Sequence, residues 1–265
     1  MIDIHSHILP GVDDGAQTPD ESSAMLALAA AAGTQAMVAT PHADLRYRFR
    51  PEHCRDLLQR LRGRHPDGPS LYLGCELHLT TENISRAIDE PGSYALNGCD
   101  CVLLELPDRV MPNLAAPAIG ALIDSGLRVI VAHPERNLYI QHRLSYSDRL
   151  LELGCYLQLT ARSLSGGFGP AAVSAGNYIL RRRLAHFIAS DAHGATYRRP
   201  ALDAAFDTIA KSYGDSAARL LFTENPAAAI NGAPIRPMPP ASGWLTSLFS
   251  RTSHDPRKQT VPQVH

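Results

Sequence analysis

Histidines and carboxylates recur in this chain at one kind of place, just past a short apolar run. His5 and His7 follow the first such run and His42 the second. Glu76 follows the third, Glu105 ends the fourth, His133 ends the fifth, and Asp191 with His193 follows the last. Imidazole nitrogen and carboxylate oxygen are donors that suit manganese, iron or zinc, unlike a soft all-thiolate set. Residues two apart at a strand end point the same way, so His5 and His7 can grip one ion, and Asp191 with His193 shares that geometry. Each pair alone is a weak signal that also reads as a solvated surface pair. Both together, at opposite ends of one chain, point to a metal centre.

Glu105 ends the run CVLLELP, where an unpaired carboxylate is costly to bury. Arg109 or Arg136 could neutralise it. A carboxylate can also bridge two cations with its two oxygens, and Glu105 is expected to do so. Glu76, in YLGCELH, sits at a similar strand end, with a surface carboxylate as the competing reading. Asp13 and Asp14 lie in GVDDG, which reads first as a turn. One of them is expected to be a further ligand; Asp14 is preferred, although spacing does not choose. His78 is a candidate support for the ligands. His53 and His65 read as solvated, and His142, His186, His254 and His265 carry no expected role.

The elements that must position these groups alternate in type. Strands are expected over 2–5, 35–40, 71–75, 101–106, 128–132, 155–160 and 186–190, with helices between them, as in βα units. The first helix is well marked: Thr18 and Glu21 form a capping box, Pro19 takes the first helical position, and Gly33 follows the last turn. Further helices are expected from an Asn113 cap to Ser125, over 143–153, over 200–213 and over 215–221. A closed or nearly closed parallel barrel would open all its strand ends onto one face, so the ligands would share one mouth. An open doubly wound sheet is the competing architecture.

A formal net charge of -1 gives no reason to expect nucleic-acid or anionic-membrane binding. The first residues lack the basic and apolar regions of a secretory signal, and no apolar run approaches the ~20 residues of a membrane span. Five scattered cysteines without a CxxC pair fit reduced thiols in the cytoplasm. From about Ala233 the chain turns polar and proline-rich, so a folded domain over 1–232 and a disordered tail over 233–265 are expected. In that tail, Trp244, Leu245, Leu248 and Phe249 can share one short apolar face.

The motifs IDIHSHILPGVDDG, ATPH, GCELHL, LLELP, AHPER and ASDAHG together resemble the polymerase-and-histidinol-phosphatase (PHP) superfamily. More narrowly, they resemble the bacterial PHP-type protein-tyrosine phosphatases of capsule and exopolysaccharide operons. The similarity runs from Met1 to about Ile230. HSH and SDAH mark the superfamily, whereas DDG after HSH, together with AHPER, points to the phosphatase branch. The resemblance implies an α/β fold, a distorted (β/α)7 TIM-like barrel, holding three divalent metal ions, often manganese. Motif by motif, it implies His5, His7, Glu105 and Asp191 around one ion, and Glu76, the shared Glu105 and His133 around a second. Asp14, His42 and His193 would hold the third. The phosphate-binding arginines would be Arg136 and Arg198, with Arg199 as the alternative to Arg198.

By that resemblance the activity is hydrolysis of phosphotyrosine in proteins, and the partner a cognate tyrosine kinase that regulates polysaccharide export. Clustered divalent ions acidify water and neutralise phosphoryl charge, and the chain lacks the CxxxxxR loop of cysteine-dependent tyrosine phosphatases. A small-molecule phosphatase such as histidinol phosphatase is the first alternative, and a non-catalytic metal-binding regulator the second. The segment ADLRYRFRP matches no motif of the family and is a place for substrate choice. There Arg46, Arg48 and Arg50 either meet acidic residues beside the target or form a solvated basic loop.

Overall fold

The computed structural model of the protein describes residues 1–108 and 112–240. Its strands are β1 (Ile2–Ser6), β2 (Ala36–Ala39), β3 (His42–Ala43), β4 (Ser70–Leu73), β5 (Glu76–His78), β6 (Cys101–Glu105), β7 (Arg128–Ala132), β8 (Tyr156–Thr160) and β9 (Phe187–Ala189). All pair in parallel, in a three-stranded sheet β1-β2-β4 and a six-stranded sheet β3-β5-β6-β7-β8-β9.

The two sheets arise because β2 and β4, the expected second and third strands, are each followed after a break by a short strand beyond the expected range, β3 and β5. Pro41 offers no N–H to a ladder and separates β2 from β3. Gly74 separates β4 from β5, at a point where a Cβ would come 2.6 Å from the Leu96 side chain. Backbone hydrogen bonds from Gly74 N–H to Ala39 O (2.8 Å) and from Glu76 N–H to Pro41 O (3.1 Å) carry the pairing across both breaks. At the other side, a parallel bridge between Ser6 and Ala192 brings β1 beside the end of β9.

Alternate residues of the strands sort into two cores, as the period of two requires. Ile4, Val38, Leu103, Ile130, Phe187 and Ala189 form a small inner cluster. Met37, Val102, Leu104, Val129, Val131, Leu157 and Ile188 face the larger cluster beneath the helices. The first helix, Pro19–Ala31, starts as its sequence predicts: Thr18 Oγ1 accepts the Glu21 N–H at 3.1 Å, and Gly33 takes a φ of +82°. The next expected helix spans Pro112–Asp124, so Asn113 falls inside its first turn. Expected helix 143–153 is shorter, Tyr146–Glu152, and follows a separate turn of helix at Leu138–His142. Gly169–Arg181, a helix rich in glycine and alanine, escapes periodicity reading because its buried face is mostly Ala172, Ala175 and Gly176.

The chain stays packed for several residues beyond Gly232. Met238 is buried, and the Asn225 side chain accepts the Arg236 N–H and donates to the Arg236 carbonyl. Arg128 also donates to the carbonyl of Ala233 at 2.7 Å. Arg109 and the tail residues Trp244, Leu245, Leu248 and Phe249 lie outside the described residues. Among the described residues, no helix is long and apolar enough to cross a membrane.

His186, just before β9, is buried, and its Nδ1 accepts the Leu157 N–H. Burial lowers its pKa to about 4 from the ordinary 6.5. The unfolded chain therefore binds the extra proton first, so this site's contribution to stability is complete above pH 6.5 and is lost as pH falls toward 4. A shift of that size corresponds to about 3 kcal/mol. His186→Asn keeps an acceptor but does not titrate, so urea unfolding of the metal-free variant is expected to show a smaller acid loss than the parent. Parallel pH dependence in the two proteins would refute this.

Candidate metal centre

In-register pairing brings the ends of the strands together. His42 pairs with Glu76, and His78 with Glu105. His133 follows β7 directly, and Asp191 and His193 follow β9 beside Ser6. The result is a mouth in which His5, His7, Glu76 and Asp191 are almost wholly buried, while Asp14, His42, Glu105, His133 and His193 line the opening. Three groups of ligand-type atoms each lie within 4.8 Å of one another: His7, Asp14, His42 and His193; His5, His7 and Glu76; His42, Glu76 and Glu105.

Glu76 is the hub. Its Oε2 lies 2.9 Å from His42 Nδ1, 3.2 Å from His5 Nε2 and 3.3 Å from His7 Nε2, while Oε1 is 2.8 Å from His133 Nε2. Burial opposes its charge, but His5 and His42 outweigh burial and hold its pKa well below the ordinary range. The same balance runs the other way at His5: burial disfavours the cation, yet Glu76 and Asp191 push its pKa up to about 9. Glu105, the expected bridging ligand, lies 3.1 Å from His78 Nδ1 and 3.8 Å from His133 Nε2, and its carboxylate falls in one group of ligand-type atoms with His42 and Glu76. His78 thus supports a carboxylate of the mouth.

The two aspartates of GVDDG part company here. Asp14 Oδ1 lies 3.4 Å from both His42 Nε2 and His193 Nε2. Asp13 faces inward: Oδ2 accepts from His7 Nδ1 at 2.7 Å, and Oδ1 accepts the Gly15 N–H at 2.9 Å. Asp13 Oδ2 also takes the His42 N–H at 3.1 Å. Burial would raise the Asp13 pKa, but His7 lowers it, so it stays a carboxylate. Gly15 has a reason beyond the turn, since a Cβ there would stand 2.1 Å from the His7 carbonyl oxygen.

Several of these contacts choose a tautomer. Asp13 occupies Nδ1 of His7, Gln158 Oε1 lies 2.9 Å from Nδ1 of His5, and the Asp191 carbonyl lies 3.0 Å from Nδ1 of His193. A proton held at Nδ1 leaves the Nε2 lone pair for the mouth, which is how outer partners prepare metal-binding histidines. Glu76 Oε2 and Asp191 Oδ1 are buried and close to several nitrogens, yet neither makes an aligned hydrogen bond. Such oxygens are costly to bury unless a cation meets them. The donor set therefore fits divalent metal.

Two arginines reach the lip. Arg136 Nη1 donates to Asp191 Oδ2 at 2.6 Å, and Arg198 Nη2 donates to the same oxygen. Arg199, its neighbour in sequence, lines a different cavity. Arg46, Arg48 and Arg50 are exposed beside the mouth, on a turn pinned by Asp44 Oδ1 accepting the N–H groups of Arg46 and Tyr47. His133, Asp191 and Arg198 all adopt positive φ, between 30° and 52°, which non-glycine residues rarely do. Strain of this kind collects at functional sites.

Sequence reading passed over three buried supports. Asp3 accepts the His5 N–H, the Ser190 N–H and the Ser190 hydroxyl, tying the ends of β1 and β9. Glu135 Oε1 accepts the Thr160 N–H and the Ser163 hydroxyl, which ties the turn carrying Arg136 to the end of β8. Gln158 is the third. For Asp3 and Gln158 the signal is a polar residue within an otherwise apolar strand; Glu135, in the turn Pro134–Arg136, carries none.

Parallel strands whose ends carry a candidate metal centre, with two guanidiniums at its lip, define a metal-site protein of the α/β class. Residues 1–231 match the family of capsular polysaccharide synthesis, CpsB/CapC, and the chain belongs to that family. It is 32% identical to the tyrosine-protein phosphatase YwqE of Bacillus subtilis over 253 residues, covering 94% of this chain and 99% of YwqE. It is 29% identical to the tyrosine-protein phosphatase CpsB of Streptococcus pneumoniae over 235 residues, covering 85% of this chain and 96% of CpsB. A crystal structure from work on YwqE and CpsB, described there as metal-dependent tyrosine phosphatases, superposes with a TM-score of 0.84 at 31% identity. That match covers 91% of this chain and 98% of the other.

Asp13→Ala removes the acceptor that orients His7, and is expected to weaken metal binding about 10- to 100-fold with circular dichroism unchanged. Gly15→Ala should act in the same direction by displacing His7. Metal titration followed by elemental analysis would decide; parental metal affinity in both variants would remove Asp13 and Gly15 from the support of the site.

Proposed function

We propose that this chain is a metal-dependent protein-tyrosine phosphatase, and that its substrate is a tyrosine kinase regulating capsular or exopolysaccharide synthesis. The observation that carries the reading is the mouth itself, a buried His-and-carboxylate cluster with Arg136 and Arg198 at its lip, in a chain of the CpsB/CapC family. Metal binding falls to His5, His7, Asp14, His42, Glu76, Glu105, His133, Asp191 and His193. Three divalent ions are proposed, with manganese as the native metal and iron or zinc compatible with the same donors. The strand order, continued across β2–β3 and β4–β5 and bridged at Ser6 and Ala192, supports a closed, distorted (β/α)7 barrel around this mouth.

The bound metal supplies charge neutralisation and acidifies water at neutral pH. The protein does the rest by position. Two guanidiniums share one oxygen of Asp191, which holds both at the lip. Their remaining N–H groups suit a dianionic phosphoryl group, which an ammonium would meet less well. Tyr47 stacks near His42, with ring centroids 6.1 Å apart, and gives the aryl group of a substrate a wall to lie on. A phenol, with pKa around 10, leaves with less protonation than an alkyl alcohol. The five cysteines are all free thiols, which supports a cytoplasmic site of action.

Loaded with manganese, the protein is expected to release phosphate from a phosphotyrosyl peptide faster than from histidinol phosphate. Arg136→Lys should lower kcat/KM on the peptide about 10- to 100-fold. Faster turnover of histidinol phosphate would replace this reading with a small-molecule phosphatase, and an undiminished Arg136→Lys enzyme would dismiss the arginine's role.

A further inference from the structure

Beside the mouth lies a second cavity, of about 290 Å³, lined by Arg162, Arg199, Ser165, Thr196 and Thr208 among others. Ser165 and Thr208 give their hydroxyl protons to backbone carbonyls, so the two guanidiniums and Thr196 are left as donors. Arg162 and Arg199 form no ion pair among the described residues, whereas Arg136 and Arg198 are both spoken for by Asp191. Two arginines thus face one cavity with no acid paired to either, Arg199 exposed and Arg162 half-buried.

The position of Arg162 is built rather than incidental. Its guanidinium carbon lies 4.4 Å from the centre of the Tyr197 ring and 5.9 Å from that of Phe168. A Cβ on Gly167 would stand 2.2 Å from Arg162 Cγ, so glycine there lets the side chain lie flat against the loop. Arg162 Nε is enclosed against Gly167 and has no hydrogen-bond acceptor among the described residues, so the Nη groups of the stacked guanidinium are what it offers to a planar or tetrahedral anion.

Phe168 joins this cavity to the mouth. The same ring lies 4.5 Å from the Arg136 guanidinium and 5.5 Å from that of Arg198. One aromatic ring thus has the two lip arginines and Arg162 around it. Because the Arg136 and Arg162 guanidiniums both lie within 5.9 Å of that ring, side chains about three residues apart on an extended peptide, which rises ~3.3 Å per residue, can reach both.

We propose that Arg162, Arg199 and Thr196 form a second anion subsite, which takes an acidic side chain lying close to the target phosphotyrosine on the same substrate. This rests on the phosphatase reading given above. The anion is a carboxylate or a second phosphoryl group, and its contribution is to hold the substrate rather than to act on the ester.

The test compares three phosphotyrosyl peptides of equal length on the manganese-loaded enzyme. One has neutral flanks, one carries a glutamate within about three residues of the target, and one carries a phosphoserine at that place. The parent is expected to show KM about tenfold lower for the anionic peptides, at similar kcat. The arm with the lower KM identifies the anion. Thr208→Glu puts a carboxylate into the cavity without removing an arginine, and should abolish the preference while leaving turnover of the neutral peptide and of p-nitrophenyl phosphate unchanged. Arg162→Met should do the same to the preference. Equal KM values across the three peptides, or a preference that survives Thr208→Glu, would overturn the subsite and leave the phosphatase reading standing. No release from any phosphotyrosyl peptide would overturn both.

Discussion

The structure turns on one buried carboxylate. Glu76 sits among His5, His7, His42 and His133, with no exposure to water, at a distance from each that demands a matched charge. A carboxylate so placed is tolerable only where several donors or cations meet it. That requirement dictates that four strand ends, those of β1, β3, β5 and β7, arrive together and in register. A one-residue slip in any of them would turn its ligand to the other face. The breaks at Pro41 and Gly74 belong to the same requirement, since they begin β3 at His42 and β5 at Glu76.

Around this hub the fold spends its buried polar groups on orientation. Asp13 fixes the His7 ring, Gln158 the His5 ring, and Asp3 clamps Ser190 to the start of the chain. Glu135 does for the Arg136 turn what Asp3 does for β9: its carboxylate is held by Thr160 and Ser163 even though burial raises its pKa. The small inner core of Ile4, Val38, Leu103, Ile130 and Phe187 closes the floor beneath them. The positive φ angles at His133, Asp191 and Arg198 show where the backbone yields to aim a side chain. Strain of that order is sustained only where the surroundings over-determine the conformation.

Phe168 extends this logic to the substrate side. It lies in a glycine-rich turn that periodicity reading ignores, yet it is the ring around which Arg136, Arg198 and Arg162 are arranged. Arg198 and Arg199 are adjacent in sequence and face different cavities, one beside Asp191 and the other beside Arg162. Sequence spacing could not separate those two arginines, because the positive φ at Arg198 breaks the alternation that would have assigned their directions.

Local chemistry made much of this molecule legible in advance. Short apolar runs ending in His, Glu or Asp identified most of the strands and the ligand-type residues, because a charged group at the end of a buried strand needs a partner and strand ends in a parallel sheet share one side. Thr18, Pro19 and Gly33 placed the first helix, since capping is decided within a few residues. Other features depend on groups far apart in sequence. Only tertiary structure gathered four histidines around Glu76, set Asp13 behind His7 with Asp14 at the opening, and kept the chain packed through Met238. Two neighbouring carboxylates are the same chemical group until the fold gives one a histidine to orient and the other a mouth to line.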